Sequence, residues 1–265
     1  MPGPVSTHSA DARPIVLVMT AGGLNPTIVV ADLARRGFNV HVCLEQPEGK
    51  GEITRRRARK LGWTSALGQL GTMIAARLLR RFADRRVSQL LASNGIGKTL
   101  PETVPIHPVT SINAGETAGL VRDLNPAAIL LVSTRLMSAA QLASMPCPVI
   151  NLHAGINPNY RGQMGGYWSL RENDAGNFGA TVHLVDAGTD TGGTLYEART
   201  RPAKGDFIST YPLVLTLAAL DITARAISDA LNGTLRPIPP AGPSALRFPP
   251  TLWSWIWCGI TRRIW

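Results

Sequence analysis

The sequence predicts an open, mostly parallel α/β sheet with helices on both faces. Three short apolar runs, at residues 15–18, 127–132 and 149–150, have the composition of buried parallel strands. The first two are each followed by a turn and a segment of helical composition, which is the alternation expected of βαβ units. A chain of 265 residues is long enough for one such domain and a shorter appendage.

The chain should open with a βαβ unit. After the strand at residues 15–18, Asn25 can cap a helix that ends at Gly37, and residues 38–44 form the next strand. The glycines of the first turn lack the spacing of a dinucleotide-binding or P-loop motif. We therefore interpret this turn as a tight connection, with phosphate binding by its exposed amides as the alternative.

Further helices and strands continue the pattern. Residues 51–94 are rich in Arg, Ala and Leu and should be mostly helical, and residues 105–109 suit a strand. A helix should follow and end near Leu124. Ser138 and Gln141 have the spacing of a capping box, so another helix begins there.

Two more strands and a long helix are predicted towards the C-terminus. Residues 180–185 alternate like a strand, the segment after Thr194 has strand character, and residues 209–231 suit one long helix. Repeated prolines between residues 234 and 250 predict an extended connector. We divide the chain into a disordered lead-in at residues 1–13, an α/β domain at residues 14–233, and a Pro-rich connector with a Trp-rich, amphipathic tail at residues 234–265.

The composition favours a cytoplasmic protein. The three cysteines lie far apart without metal-ligand spacing, and we expect no metal site. The first residues lack the basic and apolar regions of a secretory signal. No apolar run approaches the ~20 residues that span a bilayer.

The formal net charge of +10 is concentrated in one segment. Residues 55–86 contain ten basic residues and one acidic residue. Such a segment can attract nucleotide phosphates, nucleic acid or anionic lipid headgroups. The alternative is a solvated helix face without a dedicated partner.

The C-terminal tail combines tryptophan with arginine. Its helical stripe consists of Trp253, Ile256, Trp257, Ile260 and Ile264, and Arg262 and Arg263 lie close by. An amphipathic, basic helix of this kind can lie in a membrane interface, which would place the protein peripherally on the inner membrane face. We favour the alternative that the tail packs on its own domain or across a homodimer.

Polar side chains at one strand end form the candidate site. Asn151 and His153 are two residues apart at the end of the strand that contains residues 149–150, so they point the same way. Open α/β sheets bind ligands at such ends. Asp190 lies on a glycine-bracketed loop that can return to His153. The alternative is that Asn151 caps a turn and His153 is structural.

Several motifs in order carry a resemblance to a known family. They are Asn151-Leu152-His153, Pro158-x-Tyr160-Arg161-Gly162, Trp168, His183 and Asp186-x-Gly188-x-Asp190-Thr191-Gly192. Together they resemble the folate-dependent formyltransferases, which include glycinamide ribonucleotide transformylase, methionyl-tRNA formyltransferase and nucleotide-sugar N-formyltransferases. The resemblance implies a Rossmann-like fold and N10-formyltetrahydrofolate as co-substrate. The chain departs from the family pattern at residues 154–158 and at Gly165-Gly166.

The resemblance also implies roles for individual residues. Asn151, His153 and Asp190 would be catalytic: the amide donates to an oxyanion, the imidazole donates or relays a proton, and the carboxylate orients the imidazole. The folate-binding residues would be Arg135, Met137, Asp186 and Gly188, although by sequence alone Met137 is a core residue and Arg135 a surface charge. The acceptor-binding residues would be Gly22, Gly23, Asn25, Tyr160 and Arg161. By position, His183 and Arg161 instead suit a supporting role.

We expect N-formylation of a small, phosphorylated amine, with an amino sugar on a nucleotide as the first choice. The transfer-RNA enzyme of the family needs a further C-terminal domain for which too few residues follow the site, and we expect no nucleic-acid partner. Activity like that of glycinamide ribonucleotide transformylase is one alternative. A non-catalytic protein that binds polyanions or membranes is the other.

Overall fold

The computed structural model describes residues 13–265, apart from the side chain of Arg80. The lead-in predicted at residues 1–13 therefore lies outside the described residues, except for its last position. In chain order the helices and strands are β1 (Ile15–Thr20), α1 (Leu24–Arg35), β2 (Asn39–Glu45), α2 (Lys50–Leu61), α3 (Trp63–Leu78), α4 (Arg80–Asn94), β3 (Ile106–Val109), α5 (Gly115–Leu124), β4 (Ala128–Leu131), α6 (Ala139–Ala143), β5 (Val149–His153), β6 (Arg161–Gly162), α7 (Gly165–Arg171), β7 (Gly179–Leu184), β8 (Thr194–Arg199), α8 (Tyr211–Ala218), α9 (Leu220–Leu231), β9 (Leu246–Arg247) and α10 (Leu252–Arg262).

Seven of these strands form one sheet in the order β3-β2-β1-β4-β5-β7-β8. The first five are parallel to one another, whereas β7 runs antiparallel to both of its neighbours. The remaining two strands, β6 and β9, pair with each other in parallel. The predicted open, mostly parallel α/β fold is confirmed.

Helices cover both faces of the sheet, as the alternating contacts of β1 show. Val16 and Val18 belong to a core that also contains Ile28 of α1, whereas Leu17 and Met19 belong to a second core on the opposite face. Because both faces are covered, β1 is apolar along its whole length. The same burial explains why its sequence lacks the alternation of a half-exposed strand.

Two helix predictions are wrong in detail. Asn25 does not cap α1, because the helix already begins at Leu24 with Gly23 as the capping residue and no side-chain cap. The long helix predicted over residues 209–231 is two helices, α8 and α9, which meet at Ala219. Alanine does not break helices by propensity. The helices have different partners, since α8 packs on α1 and β7 whereas α9 also packs on β4 and β5, so tertiary packing sets the break.

The predicted Pro-rich connector lies against the domain. Ile238 forms an antiparallel bridge with Thr194 at the start of β8, and β9 pairs with β6 beside the candidate site. The tail that follows, α10, packs against α3. The independence of residues 234–265 as a unit stays a prediction.

The tail packs on its own domain, which was the favoured alternative. Trp255 and Cys258 are buried, and the Trp265 ring makes an edge contact with Trp255 at 6.3 Å between centroids. Within residues 13–265, no helix has the length and apolar character needed to cross a bilayer.

Candidate active site

The antiparallel pairing of β5 and β7 brings the first polar groups of the site together. In this register Asn151 lies opposite His183, and His153 lies opposite Thr181. The Asn151 side-chain nitrogen lies 3.1 Å from Nε2 of His183. The Nδ1 atom of His183 is 2.7 Å from the carbonyl oxygen of Leu184, which fixes the ring orientation.

The carboxylate of Asp190 is the centre of this cluster. Its Oδ1 accepts a hydrogen bond from the Asn151 side chain at 3.1 Å and lies 3.4 Å from Nε2 of His183. Its Oδ2 accepts the Gly162 N–H at 2.8 Å and lies 3.5 Å from Nδ1 of His153. The structure thus brings Asn151, His153 and Asp190 within hydrogen-bonding reach or just beyond it.

The glycine-bracketed loop between β7 and β8 is folded tightly enough to hold Asp190 in place. The Asp186 carboxylate accepts hydrogen bonds from Gly188 N–H at 3.1 Å and from the Thr191 hydroxyl at 2.7 Å. A Cβ on Gly188 would collide with the Thr191 side chain. Arg161 donates to the carbonyl of Thr189 at 2.9 Å, so it braces the loop from outside.

Both ring nitrogens of His153 have protein partners. Nε2 lies 2.8 Å from the carbonyl oxygen of Tyr160, and Nδ1 faces Asp190. An oxygen atom therefore lies beside each ring nitrogen, which fixes the orientation of the imidazole. The ring is buried, whereas Asn151 is half-buried and is the more accessible member of the set. In this conformation His153 supports Asp190 and has no ring nitrogen free for a ligand.

Asp190 stays ionised at all ordinary pH values. Burial raises its pKa, but the charge of His153, a hydrogen bond with His183 and the Gly162 N–H outweigh burial and lower the pKa to about 2. A negative carboxylate among one amide and two imidazoles is an arrangement that can stabilise a positive imidazolium. The same arrangement fixes the orientation of the Asn151 amide, since its oxygen would be repelled by Asp190.

Two departures from the family pattern contact each other behind His153. A Cβ on Gly155 would lie 2.5 Å from the Tyr160 carbonyl oxygen, 2.6 Å from His153 Nε2 and 3.2 Å from the Gly165 Cα. Space is equally short on the other side, where a Cβ on Gly165 would lie 2.6 Å from the Gly155 Cα. The two glycines therefore allow the loop after β5 and the start of α7 to close on the histidine.

A sequence model of the Formyl transferase family matches residues 77–211, which is about half of the chain. That segment contains Asn151, His153 and Asp190. The chain belongs to the formyl transferase family.

Relatives and solved structures agree with this family. A methionyl-tRNA formyltransferase from Pelobacter propionicus is 26% identical over 142 residues, which are 53% of this chain and 44% of the relative. A sugar N-formyltransferase from a Shewanella species superposes with a TM-score of 0.55 at 11% identity over 88% of this chain and 76% of that one. A phosphoribosylglycinamide formyltransferase from Brucella melitensis superposes with a TM-score of 0.54 at 17% identity, over 85% of this chain and 100% of that one. This chain spans less than half the length of the curated relative, and the solved structures show the fold alone.

The folate-binding residues predicted for this formyl transferase family member have internal partners. Met137 is 2% exposed within the core, so its side chain is not placed to contact a pteridine. Arg135 forms an ion pair with Glu45, 2.5 Å from Nε to Oε2, and donates to the Gln46 carbonyl at 2.6 Å. Asp186 and Gly188 shape the Asp190 loop. Folate binding by Arg135, Met137, Asp186 and Gly188 stays a prediction.

The predicted acceptor-binding residues divide into two groups. Tyr160 is buried and its hydroxyl donates to Asp174 at 2.7 Å, so its side chain does not point to an acceptor, while its carbonyl holds His153. Arg161 braces the Asp190 loop, as its supporting role predicted. The turn before α1 contains Gly22 and Gly23, both with positive φ. The binding of an acceptor phosphate by that turn, including Asn25, stays a prediction.

Two cavities lie elsewhere in the molecule. One of about 290 Å³ is lined by Leu195, Tyr196, Asp229, Thr234 and Arg236, on the β8 and α9 side. A smaller one of about 40 Å³ lies under α7 and α8 and includes Ala154 and Gly166 in its wall. Neither wall includes Asn151, His153 or Asp190.

Sequence reasoning missed the partners that complete the cluster. The supporting role predicted for His183 agrees with its contacts to Asn151 and Asp190, but the sequence did not identify these two partners. Its position follows from the antiparallel register of β5 and β7, which the sequence did not reveal. The Gly162 N–H and the Tyr160 carbonyl are backbone groups, so no side-chain pattern could have identified them.

Proposed function

We propose that this protein transfers a formyl group from N10-formyltetrahydrofolate to an amine. One observation carries the proposal: Asn151, His153 and Asp190 converge in a member of the formyl transferase family, with 3.1 Å and 3.5 Å joining the first two to the third. An amide, an imidazole and a carboxylate can meet the two needs of acyl transfer, which are oxyanion stabilisation and proton transfer.

The bound folate would supply a formyl carbon, which forms a bond to the acceptor nitrogen. The bond between that carbon and N10 breaks, and one proton passes from the acceptor nitrogen to N10. The Asn151 amide nitrogen carries two N–H groups, one donated to Asp190 and one facing His183 Nε2, so its donation to the developing oxyanion requires that the substrate replace one of these partners. Asp190 orients the His153 ring, and a proton carried by that ring would stabilise negative charge that develops nearby. Because both nitrogens of His153 have protein partners, a proton relay through its ring requires that the substrate replace one of them.

For the acceptor, we propose an amino sugar attached to a nucleotide. The basic helix α2 lies beside the site, because Arg57 donates to the Gln163 side chain at 2.7 Å, one residue after Gly162. Exposed Arg55 and Arg59 lie on the same helix. The cation of Arg57 lies nearest to the cluster, because Gln163 follows the Gly162 N–H that Asp190 accepts, and it suits a phosphorylated acceptor. The fold is shared with a protein described as a sugar N-formyltransferase and equally with a phosphoribosylglycinamide formyltransferase, so an assay must compare the two acceptors.

The test is a formyl-transfer assay with nucleotide-linked amino sugars, in parallel with glycinamide ribonucleotide. The variant His153→Ala should lower kcat by at least ~100-fold, the usual contribution of a positioned acid or base. His107→Ala is the control, since that histidine stacks on His41 at the β2–β3 edge, with 5.3 Å between centroids. We expect near-normal turnover from the control.

Three outcomes separate the alternatives. Turnover with glycinamide ribonucleotide alone would replace the sugar acceptor and leave formyl transfer in place. Equal rates for His153→Ala and His107→Ala would remove the proposed site. No turnover with any amine, together with salt-sensitive binding of polyanions, would favour the non-catalytic alternative.

A further inference from the structure

A stripe of exposed apolar side chains runs along α3. Trp63, Leu67, Ile74 and Leu78 are separated by four, seven and four positions, which keeps them on one side of a helix. They are 46% to 68% exposed. The opposite side of α3 is buried through Ala66, Gln69 and Thr72. The outer side of α3 is therefore apolar although it faces water, and its buried side contains the polar Gln69 and Thr72.

A second stripe runs along α10. Trp253, Ile256, Trp257 and Ile260 follow helical spacing and are 41% to 70% exposed. The other side of this helix, with Trp255, Cys258 and Gly259, is buried on the domain. Thus one side of α10 packs on the domain, and the other side exposes Trp253, Ile256, Trp257 and Ile260 to solvent.

The two stripes adjoin. A Cβ on Gly68 of α3 would collide with the Trp253 ring, and one on Gly71 would lie 3.3 Å from Leu252. Because these glycines lie along one flank of the exposed stripe of α3, the start of α10 lies beside that stripe. We call the eight residues of the two stripes the α3–α10 face. Phe82, 66% exposed on α4, extends it beyond Leu78.

The charges around this face are positive. Neither α3 nor α10 contains an acidic residue. Arg77 precedes Leu78, Arg81 stacks on Phe82 at 4.9 Å from the ring centroid, and Arg262 and Arg263 follow Ile260. Among the side chains that the structure describes, none of these four arginines forms an ion pair with a carboxylate. The face therefore combines apolar area with uncompensated positive charge.

We propose that the α3–α10 face binds the surface of an anionic lipid bilayer. Tryptophan and arginine around an aliphatic patch are the residues that suit the boundary between headgroups and acyl chains. The helices have 16 and 11 residues, roughly 24 Å and 17 Å long, so they lie in the interface and do not cross it.

Two other occupants fit the same surface less well. A second copy of the chain would bring two basic faces together, and like charges oppose such a dimer. A nucleic acid would satisfy the arginines and stack on tryptophan, but it offers nothing to Leu67, Ile74, Ile256 and Ile260. Only an anionic bilayer complements both the charge and the aliphatic area.

The proposal goes beyond formyl transfer and does not depend on it. Most of α3 and all of α10 lie outside residues 77–211, the part of the chain that the family sequence model matches. The face is thus a feature of this chain around the family segment. Its test uses lipid binding and needs no substrate.

The test is flotation of the full chain with vesicles of phosphatidylcholine containing 30% phosphatidylglycerol, and with vesicles of phosphatidylcholine alone. The protein should float with the anionic vesicles and bind neutral ones at least ~10-fold more weakly. The variant Trp257→Ser/Ile260→Ser should reduce anionic binding at least ~10-fold. The control is Ile238→Ser, matched in exposure at 66% against 67% for Ile260 but outside the face, and it should bind normally.

A second measurement uses the unaltered protein, so that a folding defect in the variant cannot decide the result. Lipids with brominated acyl chains should quench the tryptophan fluorescence of the wild-type protein. Separately, far-ultraviolet circular dichroism checks the fold of the double variant, which should give the same spectrum as the wild type. Failure of the wild type to float, or equal flotation of the double variant, would overturn the proposal. Sedimentation as a dimer that the double variant disperses, without lipid binding, would assign the face to a second copy instead.

Discussion

The Asp190 cluster buries polar side chains, whereas the α3–α10 face exposes apolar ones. In the cluster, polar groups are taken out of water and both oxygens of Asp190 have partners within the protein. In the face, eight large apolar side chains remain in water. Buried polar groups are costly without partners, and exposed apolar patches are costly without a covering surface.

The difference teaches where each region's partner lies. The cluster is complete within this chain, so its groups are oriented before any ligand arrives. The face is incomplete within this chain, so its partner comes from outside. The first region lies in the segment shared with the formyl transferase family, and the second lies mostly outside it.

Removing the charge at the centre of the cluster should have the largest effect. Asp190→Asn keeps the size of the side chain but removes the charge that stabilises His153. We expect kcat for formyl transfer to fall by ~100-fold or more, equivalent to about 2.7 kcal/mol. Asp84→Asn, at an exposed carboxylate on α4, is the control and should leave kcat unchanged. A rate for Asp190→Asn within a few-fold of wild type contradicts the central role of this carboxylate.

The same charge should make stability depend on pH. The pKa of Asp190 is about 2 in the fold, against an ordinary value of 3.8, so the ionised form is the more stable one in the folded state. It stabilises the fold by roughly 2 kcal/mol above pH 4, and this contribution is lost as the pH falls towards 2. Urea unfolding of wild type and Asp190→Asn at pH 7, 4 and 3 gives the free energy of unfolding at each pH. This free energy should fall more steeply with decreasing pH in the wild type than in the variant. Parallel curves for the two proteins would show that Asp190 titrates normally.

Filling the space behind His153 should break its contact with Tyr160. In Gly155→Ala the new methyl group meets the Tyr160 carbonyl and His153 Nε2, of which the first is backbone and cannot rotate away. We expect kcat to fall about tenfold, or about 1.4 kcal/mol. Gly176→Ala is the control, because a Cβ there meets no atom within 4 Å. A normal rate in Gly155→Ala would mean that the position of His153 does not depend on these glycines.

The smallest expected effect is on stability, and it distinguishes arginines that hold the fold together from arginines that are exposed to solvent. Arg86 forms two hydrogen bonds with the buried Asp206, at 2.8 Å and 3.0 Å, so this member of the basic segment holds α4 to the loop before α8. Because Arg86 is only partly buried, Arg86→Ala should lower the free energy of unfolding by about 1 kcal/mol. Its exposed neighbour Arg85 provides the control, and Arg85→Ala should stay within about 0.5 kcal/mol of wild type. Chemical denaturation measures both, and equal stability of the two variants would show that the ion pair is not structural.

Sequence patterns correctly predicted the features that depend only on residues adjacent in the chain. The period-two geometry of β5 placed Asn151 and His153 on the same side, and glycines around Asp190 indicated a loop that returns. The predicted helix start at Ser138 is present, because the Ser138 hydroxyl accepts the Gln141 N–H at 3.2 Å. The reciprocal half of the capping box does not form, since the Ser138 N–H donates to the Asn113 side chain at 2.8 Å. Such features depend on a few adjacent residues and are therefore visible in the sequence.

Contacts between distant segments could not be predicted in the same way. The place of His183 depends on strand register, and a shift of one residue would move it to the other face of the sheet. The contact of Gly155 with Gly165 and the pairing of Arg135 with Glu45 depend on how loops fold back. Met137 was nominated by family position, but its side chain is 2% exposed and belongs to the second core cluster.

The central claim is that His153 and Asp190 act as one unit in formyl transfer. A double-mutant cycle tests it most directly, with kcat measured for His153→Ala, Asp190→Asn and the combined variant. Residues that act together lose their contribution once, so the combined variant should be no slower than the slower single variant by more than about threefold. If the two losses multiply, reaching ~10,000-fold where each single change costs ~100-fold, the residues act independently and the account is contradicted.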